Sequence, residues 1–434
     1  APQSQLISGT AYSASFRMRS GISVYGGFEG TETSKADRDK GTSGMPWDFA
    51  HRTVLKGSYY QDDNVSYANN RWSVTGDSRH VVWFAPMPGG ADGGFTRPTY
   101  LDGVTVKGGY AQGGTGLDNF KTDRGAGVYM DGADCYLTNS IVTQNNATGP
   151  GGGVYLRDGR IQGCLLYNNN AGQDGGAVYV EGTGLVHRSM LANNTAGNGA
   201  GAYLAYTAAD GAGHREYLIL STCVVTNNTA RQNGAVYCDG GGVLLQNTIA
   251  NNHCPTTTDA TDPNASQTGG LYVDEYGLVI NSVLWNNRLG GGTQATAGTN
   301  IPVYVRNPSV EQVRFSHCAI SGVNNAVWND VLQEQMLSLV DANAGAPDND
   351  GSIGPRFSHG AGQMANDEAL NTTIGVQDGW TDRTDGTANT VGISYYWEPV
   401  TGSNLWARGM ELGQLPEEVV LAPELDLEGT LFNQ

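Results

Sequence analysis

The chain has 434 residues, of which 63 are Gly and only 15% are charged, with a net charge of −18. So small a charged fraction excludes charge-driven disorder, and so much Gly argues against a compact helical protein. The acidic balance disfavours nucleic-acid phosphates and anionic membrane surfaces as partners, and no apolar run approaches the roughly 18 residues that span a bilayer.

The start, APQSQLISGT, has neither a basic nor an apolar leader region, so the chain reads as mature or trimmed. Residues 1–124 read as opening coils with long excursions, in which KGTSGMPWDFAHR (40–52) and APMPGGADGGFTRP (85–98) look like loops projecting from a stack. Within this region VTVKG at Val104 is an early copy of a phrase that later repeats.

Residues 125–322 carry the main signal, a repeat. Two or three small residues, an aliphatic residue and a Tyr recur, ending at Tyr129, Tyr155, Tyr179, Tyr203, Tyr237, Tyr272 and Tyr304. The intervals are 26, 24, 24, 34, 35 and 32 residues, so the period is near 24 once each long interval is relieved of one insertion. Two of those insertions are placed at 207–216 and 255–268. A second phrase follows each Tyr: SIVTQN, CLLYNN, SMLANN, CVVTNN, NTIANN and SVLWNN, with a degenerate CAISG at Cys318. Both phrases are short alternating strands bounded by Gly and Asn. A period near 24 is too short for a βαβ unit and fits one coil of a parallel β-helix, each coil stacking at about 4.8 Å. The predicted fold is all-β, a right-handed parallel β-helix with loop insertions and an irregular C-terminal segment.

Alternation assigns the faces. The first and third residues of the second phrase point inward, giving a small column of Ser140, Cys164, Ser189, Cys223, Asn247, Ser282 and Cys318. A second column is aliphatic: Val142, Leu166, Leu191, Val225, Ile249, Leu284 and Ile320. Cys164, Cys223 and Cys318 therefore read as packing thiols rather than disulfides, while Cys135, Cys238 and Cys254 stay open. The Asn pairs 168/169, 193/194, 227/228, 251/252 and 286/287 read as left-handed corners with side-chain ladders, rather than as glycan acceptors at Asn193 and Asn227. Residues 323–434 read as a cap and irregular extension, with a short helix expected over 324–342.

At this point the residues carry a family resemblance. GG-x-[VL]-Y with a following small-aliphatic-x-x-N-N-x-A phrase resembles the repeat of polymorphic outer membrane proteins, best in GGAVY with SMLANNTA and in NGAVY after CVVTNNTA. The stretch ISVYGGFEGTETSKADRD, then TVLKG and LDGVTVKGG, is similar to the opening coils of secreted β-helix proteins from Bacteroidota. The resemblance covers residues 15–322. It implies an extracellular or outer-surface location and an anchor outside this chain, since the family's closing Asp-Ile-Gly-Ala-Tyr-Glu phrase is absent. It implies little about activity.

Flanking aliphatic residues turn Tyr129, Tyr155, Tyr179, Tyr203, Tyr237 and Tyr272 outward, where an exposed aromatic ladder is expected. Asp131, Asp158, Glu181, Asp239 and Asp274 follow two or three residues later. Such a strip suits a polysaccharide, and it equally suits a sheet stabilised by stacking. DANAGAPDNDG offers Asp341, Asn343, Asp348 and Asp350 as hard oxygen ligands for Ca²⁺, or as a solvated acidic turn. No GHG, RIK, GxSxG or P-loop segment occurs, and the seven His residues show no metal-ligand spacing. The expected function is a non-catalytic surface or secreted β-helix, adhesin-like or glycan-binding, whose partner is a polysaccharide or a surface protein. The competing expectations are a polysaccharide lyase or glycoside hydrolase using paired carboxylates of the acidic column, and a structural subunit of a surface assembly.

Overall fold

The computed structural model describes residues 15–57, 78–85, 94–113, 122–205, 218–255, 266–274, 277–280, 282–290, 299–300 and 302–306. Short strands continue at Val313–Ser316, Ala319–Ile320, Val327–Asn329, Glu334–Gln335 and Arg356–Phe357.

One coil shows why the sequence folds as it does. From residue 151 the chain makes strands Val154–Arg157, Arg160–Gln162, Leu165–Tyr167 and Asn170–Ala171, then starts again at Val178–Glu181. Each strand is too short to stand alone and pairs in parallel with its counterpart one coil away. Four sheets of eight to eleven strands result, named here the Tyr sheet, second, third and fourth sheet in the order a coil visits them. The chain forms a parallel β-helix. The Tyr sheet begins with Phe16–Arg17 on Val82–Phe84 and runs without a break across residue 125 into the regular coils.

The turns are made by left-handed residues. In this coil they are Gly151, Asp158, Gly163 and Asn168, with φ of +71°, +59°, +61° and +54°. Gly151 and Gly175 take positive φ, while the next residue, Gly152 or Gly176, has no room for a side chain: a Cβ would run into the carbonyl oxygen of Asn170 or of Ala200. That division of labour explains the Gly-Gly pairs.

The Asn pairs divide their work in the same way. The first member is left-handed: Asn168, Asn193, Asn227, Asn251 and Asn286 have φ between +50° and +56°. The second turns its amide into the corner and is buried. Its Nδ2 donates to the next coil's Oδ1 from Asn145 to Asn169, Asn194, Asn228, Asn252 and Asn287, at 2.9–3.1 Å. The same oxygens also accept the backbone N–H of the preceding coil's Asn.

The inward aliphatic column is as expected. Val142, Leu166, Leu191, Val225, Ile249, Leu284 and Ile320 are register neighbours, and the first six are buried. Ser140, Cys164, Ser189, Cys223, Asn247 and Ser282 form the small column. Its Ser189 Oγ, Asn247 Oδ1 and Ser282 Oγ accept the N–H of the neighbouring coil. Cys164 and Cys223 take the place of serines there, their thiols 3.3 and 3.2 Å from the carbonyls of Gln162 and Ser221. All five described cysteines are buried and outside any disulfide; Cys318 lies outside the residues whose side chains are described. Burial pushes the Cys164, Cys223 and Cys238 thiols up to about 12, so they stay protonated and inert.

Two expectations are corrected. Residues 40–52 do not project: Met45 and Trp47 lie back on the outer face of the third sheet, against Ile141, Leu165, Tyr167 and Met190. That face is apolar and would otherwise stay wet, which drives the segment onto it. Nor is 324–342 a helix where it is described. Val327–Asn329 is a further strand of the Tyr sheet with Trp328 opposite Tyr304, and Glu334–Gln335 pairs back on it antiparallel. The segment AVWND repeats the small-aliphatic-aromatic pattern of AVYVE at 177–181, and strand pairing overrides its helix-like leucine spacing.

His187 lies on the second sheet with 4% of its surface exposed, and burial holds its imidazole down at about 4, with Arg188 adding to the effect. An unfolded His titrates near 6.5. The neutral ring therefore adds stability that is full above pH ~6.5 and is lost as pH falls toward ~4, a change of about 3 kcal/mol. Unfolding midpoints of His187→Leu measured across this window should fall less steeply than those of the wild type.

Candidate functional site

The Tyr sheet presents the most regular outer surface. Val154 and Leu156 point into the core, so Tyr155 between them points out, and the same holds one coil either side. The stack runs from Trp83 through Tyr129, Tyr155, Tyr179, Tyr203, Tyr237 and Tyr272 to Tyr304. Centroids lie 4.4–5.4 Å apart, with interplanar angles of 5–11° except 26° at the last pair.

This geometry changes the expected site. The rings stack face to face along the helix axis, so each inner ring has both faces covered by its neighbours. What reaches solvent is ring edge and hydroxyl, not a flat aromatic floor. The ladder is also less exposed than expected: Tyr129, Tyr155 and Tyr272 are 4%, 3% and 6% exposed, while Tyr179, Tyr203 and Tyr237 are half-buried. The cause is the stacking itself, aided at one end by Trp83, His80 and Arg124. His80 packs on Trp83 and Tyr129, and the Arg124 guanidinium lies 5.5 Å from the Tyr155 ring while held bidentately by Asp123 at 2.9 and 3.2 Å.

The acidic residues do not form one column. Beside the ladder the register row reads Asp131, Arg157, Glu181. Arg157 stands between the two carboxylates, 3.7 Å from Asp131 and 3.9 Å from Glu181. Asp158 falls outside this row. It is a left-handed turn residue whose carboxylate accepts from Thr183 N and Oγ1 of the next coil, at 2.8 and 3.2 Å. Further along, Arg306 bonds Asp274 at 3.1 Å, and Asp239 lies near Tyr179, Tyr203 and Tyr237. Arginine therefore separates the carboxylates only at Asp131 and Glu181; Asp239 and Asp274 follow each other on adjacent coils, with Arg306 paired to Asp274 from the coil beyond.

Asp174, missed by the sequence reading, lines the opposite edge of the ladder. It accepts from the N and Nδ2 of Asn198 at 3.2 and 2.9 Å, and burial raises its pKa. Tyr179 is pushed up to about 12 by burial and by the charges of Glu181, Asp174 and Asp239. Tyr155, Tyr203 and Tyr237 are raised further, again chiefly by burial. The hydroxyls thus remain protonated donors with carboxylate acceptors along both edges.

No protein-family model, curated protein or solved structure matches this chain.

The fold also assembles donors that spacing did not reveal. His51 Nε2 lies 3.9 Å from a carboxylate oxygen of Glu29 and of Asp39, three donors within 4.8 Å of one another, on exposed or half-exposed side chains. The antiparallel bridge of Lys40 with Phe49 brings Asp39 and His51 together. The Ca²⁺ candidates Asp341, Asn343, Asp348 and Asp350 lie outside the described residues, as do 207–216 and most of 255–268. No helix among the described residues is long and apolar enough to cross a membrane.

Proposed function

We propose that this chain is a non-catalytic β-helix scaffold of the bacterial cell surface or its surroundings, akin to the polymorphic outer membrane protein type, that holds glycan chains. The observation that carries the reading is the middle of the ladder. There Tyr179, Tyr203 and Tyr237 present protonated hydroxyls about one strand spacing apart, between Asp174 on one edge and Glu181 and Asp239 on the other. A repeating row of donors beside acceptors matches a polymer with repeating hydroxyls. Contact there is by hydrogen bonding to the tyrosine hydroxyls and flanking carboxylates, since the ring faces are occupied. The outward carboxylates nearest the ends of the row are neutralised by Arg157 and Arg306, which supports holding rather than cleaving. The resemblance in the repeat phrases supports the location.

Binding to a panel of bacterial, plant and host polysaccharides tests this. Tyr203→Phe and Asp239→Asn should each weaken binding about five- to tenfold, the worth of one hydrogen bond, with unfolding midpoints nearly unchanged. Unaltered binding in both variants would remove the ladder from the site, and no binding across the panel would end the glycan reading.

A further inference from the structure

The second sheet carries another, shorter aromatic stack. Tyr100 stacks on Tyr136 at 4.5 Å and 19°, and the Arg160 guanidinium sits 5.7 Å from the far ring. On the other side of Tyr100 the neighbouring coil offers Ser23, whose hydroxyl accepts the Tyr100 N–H at 3.1 Å. No second ring stacks there among the described residues.

Tyr100 borders a hollow of about 180 Å³ together with the exposed Tyr25. Drug-sized ligands occupy pockets from about 300 Å³ upward, so this hollow suits a single ring. Its polar lining is fixed in place. Asp102 is buried and fully engaged, accepting from Arg38 Nη1 at 2.6 Å and from Thr138 Oγ1 and Asn139 Nδ2 at 2.7 Å each. Asn139 is left-handed, with φ +46°, and its amide nitrogen is committed to Asp102, which leaves its Oδ1 as an acceptor. Gln162 adds an exposed amide. Lys35 supplies the charge: its ammonium lies 5.4 Å from the Tyr25 ring centroid and has no carboxylate partner among the described residues. Because Arg38 neutralises Asp102, the hollow carries net positive charge in a chain whose net charge is −18.

We infer that this hollow is a subsite for one carboxylated sugar, a uronic acid unit of an acidic polysaccharide. The sugar ring packs against Tyr100, the carboxylate faces Lys35, and the hydroxyls meet Asn139 and Gln162. An aromatic ring with flanking amides suits a pyranose, and the Lys35 ammonium selects the acidic kind. The inference rests on the glycan reading above and places a second, charge-selective contact away from the long ladder.

Titration calorimetry of the full chain with an oligogalacturonide and with a neutral cello-oligosaccharide of equal length tests it. The acidic ligand should bind at least about tenfold more tightly, and its affinity should fall as NaCl rises. Lys35→Glu, an exposed substitution, should abolish that preference and leave the neutral ligand unaffected. Gln162→Ala should weaken both ligands by about threefold or more. Binding of the oligogalacturonide by Lys35→Glu as tight as by the wild type overturns the subsite while leaving the glycan reading intact. Failure of the wild type to bind any polysaccharide of the wider panel overturns both.

Discussion

Asn194→Ala should lower the stability of the β-helix by about 3 kcal/mol, a large effect for the removal of one polar side chain. Asn194 Oδ1 accepts both the backbone N–H and the Nδ2 of Asn169, at 2.9 and 3.1 Å. Its own Nδ2 donates to the carbonyls of Leu166 and Ala192 and to Asn228 Oδ1, at 2.9–3.0 Å. Alanine leaves the Asn169 N–H buried without an acceptor and opens a void at the corner, and each is costly. Asn194→Asp separates hydrogen bonding from size. The carboxylate still accepts from Asn169, but its second oxygen faces three acceptors, and the charge is buried. It should therefore destabilise more than alanine at pH 7 and recover part of the loss near pH 4 as the group protonates. Denaturant unfolding at the two pH values checks both. If Asn194→Ala costs less than about 1 kcal/mol, the amide ladder is not what closes the coils.

This corner was legible because chemistry forces it: a left-handed residue followed by a buried amide leaves Asn as the recurring choice, so the pairs stand out in the sequence. The corner before the small column was not legible. Its left-handed positions are Asn139, Gly163, Arg188, Thr222 and Gln246, which share no side-chain character. Backbone hydrogen bonding to the next coil, such as Arg188 N to Ser221 O at 3.0 Å, recurs at that turn whatever the side chain. Likewise the outward direction of the Tyr column followed from alternation, but its burial did not. Alternation says which way a ring points and not that its neighbours, one coil of about 24 residues away, will cover its faces. Glu29, Asp39 and His51 met through a turn whose geometry no spacing rule encodes. The hollow at Tyr100 draws on four different coils, so nothing local in the sequence announces it.

Removing one ring from the middle of the long ladder should have an effect as large as cutting the amide ladder. Tyr203 stacks on Tyr179 at 5.1 Å and on Tyr237 at 4.9 Å. Each stack is worth about 0.5–1.5 kcal/mol beyond burial, and an aromatic-to-alanine change in a packed site costs about 3–5 kcal/mol in all. Because Tyr203 is only half-buried, Tyr203→Ala should fall at the lower end, about 3 kcal/mol. Tyr203→Phe keeps both stacks and should cost under about 1 kcal/mol. In a solenoid each coil contacts only its neighbours, so the damage should be local. Hydrogen exchange should accelerate in strands Val178–Glu181 and Val236–Cys238 and remain slow at Val128–Asp131, two coils further along the stack from Val178–Glu181. The contrast between the two variants decides what the tyrosines are for. A large loss of stability in Tyr203→Ala with full glycan binding in Tyr203→Phe would make the ladder a structural spine. Preserved stability in Tyr203→Phe with weakened binding would give the same residues two separable roles, the ring faces holding the coils together and the hydroxyls holding a ligand.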